Sequence, residues 1–132
     1  MTVALLIGAV TMPFDVALSA TYLFDVLAKP AHHKAWDALF LGEKNVDSWL
    51  TQYSKTRNGP STPGKTVELE GVRYQLHNIC KAHSCGDNMF YVLFGLDGAQ
   101  AWGLLLKRGQ GERFFGAPDD EKKDALRIAG RD

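Results

Sequence analysis

The sequence predicts an α+β domain in which helices come first, a central antiparallel sheet of about five strands follows, and one helix closes the chain. Three observations support this fold class. Apolar residues recur at helical spacing up to about residue 53. From about residue 65 they alternate instead, as in strands with one buried face. A chain of 132 residues has the length of a single domain.

The first half of the sequence divides into three predicted helices. A short first helix ends at Lys29-Pro30, because proline suits the first turn of the helix that follows. The second covers about Pro30–Phe40, and Gly42 ends it. A third is indicated by apolar residues at i, i+3, i+4 and i+7, namely Val46, Trp49, Leu50 and Tyr53. We expect His32 and His33 on the solvent side of the second helix.

The second half reads as a series of strands joined by short turns. Residues 57–64 form a loop by composition, and Glu70-Gly71 is the turn between the first two predicted strands. Met89–Leu96 is almost continuously apolar, which is typical of a central strand covered on both faces. Two strands and a charged closing helix complete the pattern: Ala101–Lys107, Glu112–Phe115 and about Pro118–Ile128. The charge run Asp119–Asp124 is expected to form a solvated helix face.

The composition excludes several classes of function. Fifteen Lys and Arg balance fifteen Asp and Glu, whereas a nucleic-acid-binding protein normally carries a basic surplus. Hydrophobic residues make up 45% and charged residues 23%, which is typical of a globular protein and not of a membrane bundle. No G-x-S-x-G, H-E-x-x-H or phosphate-loop motif occurs, so we expect no enzymatic activity.

Residues 1–20 have the pattern of an export signal. Val3–Val10 is an uncharged apolar run, too short to span a bilayer but as long as the core of a signal peptide. Small residues, Ala17, Ser19 and Ala20, follow where a peptidase would cut. A buried strand or helix is the alternative. We predict a signal peptide over 1–20 and a single exported domain over 21–132. In the oxidising environment that an exported protein meets, Cys80 and Cys85 are expected to form a disulfide.

The two cysteines enclose four residues, Lys81, Ala82, His83 and Ser84. A disulfide here closes a six-residue ring and stabilises the fold by only about 2 kcal/mol. Its use is therefore expected to be local, because a ring that fixes one protruding shape loses less conformational entropy when it binds a partner. The alternative is a bridge that merely closes the end of a hairpin.

A metal site is a second interpretation of the same residues. Cys80, His83 and Cys85, with His77 as a fourth ligand, would make a periplasmic module that binds a metal or small ligand. The spacing C-x-x-H-x-C matches neither the paired C-x-x-C pattern of zinc sites nor the C-x-x-C-H of c-type haem. Thiol–disulfide catalysis usually needs C-x-x-C at a helix start, whereas Cys80 and Cys85 lie between two predicted strands. We expect no metal and no cofactor.

The loop Cys80-Lys-Ala-His-Ser-Cys85 resembles the C-K-P-H-D-C signature of the Ivy family, the bacterial inhibitors of vertebrate-type (c-type) lysozyme. The similarity covers the predicted mature chain from Thr21 onwards. Its segments are, in order, Ala35-Trp36-Asp37, Val46-x-x-Trp49, Lys65 through Tyr74 to Cys80, Gly86-Asp87-Asn88, Phe90–Phe94 and Ala101-Trp102-Gly103-Leu104-Leu105. This flanking order is far more specific than two cysteines separated by four residues.

The resemblance implies both a fold and a function. It implies a central antiparallel sheet flanked by helices, with the disulfide-closed loop projecting as a key into the lysozyme cleft. By position, Cys80 and Cys85 match the bridging pair, and His83 matches the histidine that contacts the catalytic carboxyl groups. The two nitrogens of an imidazole can hydrogen-bond to two carboxyl groups at once. The implied partner is c-type lysozyme, and the implied protein is a monomer or a homodimer.

Two loop residues depart from the signature. Ala82 replaces proline, which leaves the backbone of the ring less restricted. Ser84 replaces aspartate, so a hydroxyl must remake whatever bond that carboxylate forms. Lys81 adds a positive charge near the acidic pair, or else points to solvent. These two departures are expected to change how strongly the loop inhibits lysozyme more than whether it inhibits. A cell-envelope domain that binds a partner other than lysozyme is a further alternative.

Overall fold

The fold is described from a computed structural model that covers residues 21–131. The predicted signal peptide, residues 1–20, lies outside these described residues. The helices are α1 (Leu23–Val26), α2 (Pro30–Phe40), α3 (Ser48–Thr51), α4 (Tyr53–Thr56) and α5 (Asp120–Ala129). The strands are β1 (Lys65–Leu69), β2 (Val72–Cys80), β3 (Asn88–Gly95), β4 (Ala101–Lys107) and β5 (Gly111–Phe115). The predicted α+β class and the five-stranded antiparallel sheet are confirmed.

The sheet is a meander in which each strand pairs with its neighbour in sequence, in the order β1-β2-β3-β4-β5. The central strand β3 is buried on both faces, as its apolar sequence predicts. On one face the α2 residue Trp36 packs edge-on against Phe90, with ring centroids 5.5 Å apart. On the other face Leu126 of α5 packs with Leu93 and Leu104. The sheet therefore separates two apolar cores, one on each face of β3.

One histidine of α2 contradicts the sequence prediction. His32 is buried, with its ring centroid 5.2 Å from that of Phe94. It lies three residues before Ala35, four before Trp36 and seven before Leu39, so helical geometry places it on the same buried face. Its neighbour His33 is half-buried and pairs with Asp37 at 3.1 Å.

Two smaller features also differ from expectation. The third predicted helix is two separate turns, α3 and α4, which meet at Gln52, where φ is −99° and ψ is −4°. In the charged stretch that opens α5, the Lys122 side chain is not solvated: its ammonium lies 4.7 Å from the Trp102 ring centroid. That side chain is 14% exposed. Among residues 21–131 there is no helix long and apolar enough to cross a membrane.

Candidate functional site

The disulfide loop connects β2 to the central strand β3. Cys80 ends β2 opposite Met89, and the next backbone pair continues the ladder, with Lys81 N donating to Asn88 O at 3.1 Å. Cys80 and Cys85 form a disulfide inside this connection. The predicted pairing of the cysteines is thus confirmed, and the ring they close is attached to the most buried strand of the sheet.

Residues Lys81–Ser84 form a tight turn within the disulfide ring. Ser84 N donates to Lys81 O at 2.9 Å, which closes a β-turn with Ala82 and His83 at its centre. His83 has a φ of +64°, a left-handed conformation that costs a non-glycine residue about 1 kcal/mol. A positive φ at the third position is the geometry of a type II turn, in which proline is common at the second. Ala82 occupies that second position.

The turn presents its longer side chains to solvent. Lys81 and His83 are exposed, Ala82 and Ser84 are half-buried, and Cys80 is buried. An exposed imidazole therefore stands at the apex of a ring closed by a covalent bond. A strained, exposed residue that the surrounding structure holds in place is typical of a binding site.

The C-terminal side of the ring is held by hydrogen bonds around Ser84. Ser84 O accepts from Asp87 N at 3.2 Å and from Asn88 N at 3.1 Å. The side-chain amide of Asn88 donates from Nδ2 to Ser84 Oγ at 3.0 Å. Asn88 is not among the predicted site residues, because its contact with Ser84 depends on the backbone turning back at Cys85–Asp87.

Two segments distant in sequence flank the loop. Pro60 O, in the loop between α4 and β1, accepts from Cys80 N at 3.0 Å. On the opposite side, Arg108 N in the β4–β5 turn donates to Asp87 O at 2.9 Å, and the side chains of these two residues form an ion pair at 3.4 Å. No sequence motif indicates these contacts, because register and tertiary packing create them. The disulfide loop is thus supported from both sides.

Charged side chains surround the base of the loop. Lys107 Nζ lies 2.9 Å from Asp47 Oδ2, and Trp49 Nε1 donates to the same oxygen at 3.3 Å. The hydrogen bond from Lys107 is the main reason that the pKa of Asp47 lies below its ordinary value, and Lys81 adds a smaller electrostatic contribution. Lys81 therefore lies within electrostatic range of Asp47 at the edge of the loop.

The structure does not assemble the four residues of the alternative metal site. The disulfide occupies both sulfurs, so neither Cys80 nor Cys85 offers a thiolate. His77 lies three residues before Cys80 on β2, and residues an odd number apart on a strand face opposite sides. Among residues 21–131, no three His, Cys, Asp or Glu side chains come close enough together to hold a metal ion.

His77 is instead a buried core residue. It is 1% exposed, its ring centroid lies 6.1 Å from that of Phe94, and a side chain at Gly64 would collide with its ring. Burial lowers the pKa of His77 to about 4, with smaller contributions from His32 and Lys29. The imidazole is neutral at physiological pH and belongs to the packing, away from the disulfide loop.

This chain is similar in sequence to proteins of a known family. The family model described as "Inhibitor of vertebrate lysozyme (Ivy)" matches residues 31–127. The chain is 42% identical over 82 residues to an "Inhibitor of vertebrate lysozyme" of Pseudomonas aeruginosa, covering 62% of this chain and 51% of that protein. It is 30% identical over 95 residues to an uncharacterised protein of Yersinia pestis, covering 72% of this chain and 58% of that protein. The chain spans about half the length of these curated relatives. Because the matched segment contains all five strands and the disulfide loop, the chain belongs to the Ivy family.

Proposed function

We propose that this protein inhibits c-type lysozyme in the periplasm by inserting the Cys80–Cys85 loop into the active-site cleft. The observation that carries the proposal is the exposed His83, held at the apex of a turn inside a covalently closed ring. Membership of the Ivy family supports lysozyme as the partner. The periplasmic location rests on the export signal predicted for residues 1–20.

The chemistry of lysozyme explains why an imidazole suits this role. The active site holds two carboxyl groups, one protonated and one ionised. A neutral imidazole has one donor nitrogen and one acceptor nitrogen, so it can donate to the carboxylate and accept from the carboxylic acid. No bond is made or broken, so the protein acts as an inhibitor and not as an enzyme.

The geometry of the ring keeps the entropic cost of binding low. The disulfide, the turn of Lys81–Ser84 and the contacts to Pro60 and Arg108 fix the loop before it meets its partner. Ordering a flexible loop costs free energy at the moment of binding, and a preformed loop avoids this cost. The half-buried Ala82 and Ser84 add little bulk beside His83, which suits entry into a narrow cleft.

A turbidity assay tests the function. The mature protein is expected to stop c-type lysozyme from clearing a cell-wall suspension, and to act much more weakly on g-type and i-type lysozymes. With reductant, or in the double variant Cys80→Ser/Cys85→Ser, inhibition of the c-type enzyme should fall by up to about 30-fold. Closing a ring of this size restricts the free loop by about 2 kcal/mol of conformational entropy, and without the disulfide that cost is met on binding. A protein that leaves clearance unchanged for every lysozyme class would contradict the proposal.

Ala82→Pro is expected to strengthen inhibition about twofold to fivefold. Proline fixes φ near the value that the second position of this turn requires, so the free loop has fewer conformations to lose. The inhibition constant and the thermal unfolding midpoint should be measured together. Weaker inhibition by a variant that is at least as stable would show that the turn must rearrange on binding.

A further inference from the structure

The Ser84 hydroxyl has one hydrogen bond in the structure, and its direction leaves a proton free. Asn88 Nδ2 donates to Ser84 Oγ at 3.0 Å. An amide nitrogen can only donate, so the hydroxyl accepts in this bond and keeps its own proton for another acceptor. Within residues 21–131 the structure gives that hydroxyl no second hydrogen bond.

The position of this hydroxyl is fixed relative to the imidazole of His83. Ser84 follows His83 directly, and its backbone is bonded on both sides: Ser84 N donates to Lys81 O, and Ser84 O accepts from the amides of Asp87 and Asn88. Both the main chain and the hydroxyl oxygen are therefore held before a partner arrives. A donor fixed in this way loses little entropy on binding.

We propose that the Ser84 hydroxyl is a second hydrogen-bond donor to the carboxyl groups of the lysozyme cleft, and that Asn88 is the positioning residue that directs it there. This inference rests on the proposed function. An ionised aspartate at position 84, as in the family signature, would accept only and would repel a carboxylate. A serine hydroxyl can donate where an ionised aspartate only accepts. In this chain, therefore, Lys81, His83 and Ser84 can all donate hydrogen bonds to the lysozyme carboxyl groups.

The first test removes the hydroxyl. Ser84→Ala is expected to lower the affinity for c-type lysozyme about 10-fold, the lower end of the range for a hydrogen bond to a charged group. Ser84→Thr keeps a hydroxyl and should restore most of the affinity. Ser54→Ala, which removes a hydroxyl from α4, is the matched control. Thermal unfolding of each variant confirms that it folds. An unchanged affinity in Ser84→Ala would overturn the inference.

The second test reverses the hydrogen bond that directs Ser84. In Asn88→Asp the carboxylate accepts a hydrogen bond from the Ser84 hydroxyl, which can then no longer donate to lysozyme, so affinity should fall about 10-fold. Part of this loss comes from the added negative charge, and that part should persist when Ser84 is already alanine. Gln100→Glu adds the same charge beyond the opposite end of β3 and serves as the control. Equal losses from Asn88→Asp with and without the Ser84 hydroxyl would contradict the positioning role.

The third test identifies the acceptor on lysozyme. Each catalytic carboxyl residue of lysozyme is replaced in turn by its amide, and binding to the unsubstituted inhibitor and to Ser84→Ala is measured by calorimetry. The loss caused by Ser84→Ala should shrink with one of the two amide lysozymes, because the bond is then to a neutral group. An undiminished loss with both amide lysozymes would overturn the inference, because neither catalytic carboxyl group would then accept from Ser84. If the unsubstituted protein does not bind lysozyme at all, both the proposed function and the inference about Ser84 are wrong. If His83→Ala weakens binding and Ser84→Ala does not, the proposed function stands and only the inference about Ser84 is wrong.

Discussion

His83→Ala is expected to weaken inhibition of c-type lysozyme about 100-fold, the largest effect of any single substitution in the loop. The imidazole stands at the apex of the turn and would be fully desolvated in the cleft. Its removal leaves the two lysozyme carboxyl groups without the partner that replaces their water. The inhibition constant from the turbidity assay and the dissociation constant from calorimetry should rise together.

Two further variants distinguish the contribution of the imidazole from that of the backbone conformation at residue 83. His83→Asn keeps a residue that tolerates the left-handed conformation but removes the ring, so we expect it to lose nearly as much affinity as His83→Ala. His33→Ala removes a half-buried histidine from α2 and should inhibit like the unsubstituted protein. Full activity in His83→Asn would show that the turn conformation matters and the imidazole does not.

The main elements of the fold could be predicted because their ends carry strong local signals. Pro30 at the start and Gly42 beyond the end define α2, whose predicted bounds agree with the structure. The strand β4, Ala101–Lys107, is likewise found where the sequence predicts it. His32 has the helical spacing of the buried residues Ala35, Trp36 and Leu39, but the room for its polar ring comes from a tertiary contact: a side chain at Gly98 would collide with it. Nothing local to the helix shows that Gly98 makes this room.

The disulfide loop was only partly predictable. The cysteine pair and His83 were recognised from a short signature, but the left-handed conformation of His83 follows from a turn that the sequence does not encode uniquely. The ion pair of Asp87 with Arg108 joins residues 21 positions apart. Such contacts appear only when the register of β3 against β4 is known, because that register brings the β4–β5 turn beside the loop.

The stability of the protein is expected to fall as the pH drops from about 6.5 to about 4, because His77 is buried in its neutral form. In the folded state its pKa is lowered to about 4, whereas in the unfolded chain it returns to 6.5. The unfolded chain therefore binds more protons in this window, and each pH unit lost favours unfolding. The full difference amounts to about 3 kcal/mol below pH 4, a large share of the stability of a small domain.

Other groups with shifted pKa values reinforce this loss of stability, oppose it, or act in a different pH range. Burial also lowers the pKa of His32, with Lys29 adding to the effect and Asp97 opposing it, so His32 steepens the same loss. The carboxyl groups of Asp47 and Glu112 have lowered pKa values because Lys107 and Arg127 hydrogen-bond to them. Their contribution is complete above about pH 4.5 and is lost only in stronger acid. Partial burial raises the pKa of Glu121, which acts in the opposite direction, so the loss of stability between pH 6.5 and 4.5 reports on the buried histidines.

Urea unfolding of His77→Leu isolates the contribution of His77. Neither ring nitrogen of His77 has a hydrogen-bond partner among residues 21–131, so an apolar side chain of similar volume should cost less than about 1.5 kcal/mol at pH 7.5. Between pH 7.5 and pH 4.5, however, the variant should lose about 2 to 3 kcal/mol less than the unsubstituted protein. His33→Gln, which alters a histidine that is not buried, should keep the full pH dependence. If His77→Leu lost as much stability in acid as the unsubstituted protein, proton uptake by His77 could not be the cause, and the acid sensitivity would have to come from His32.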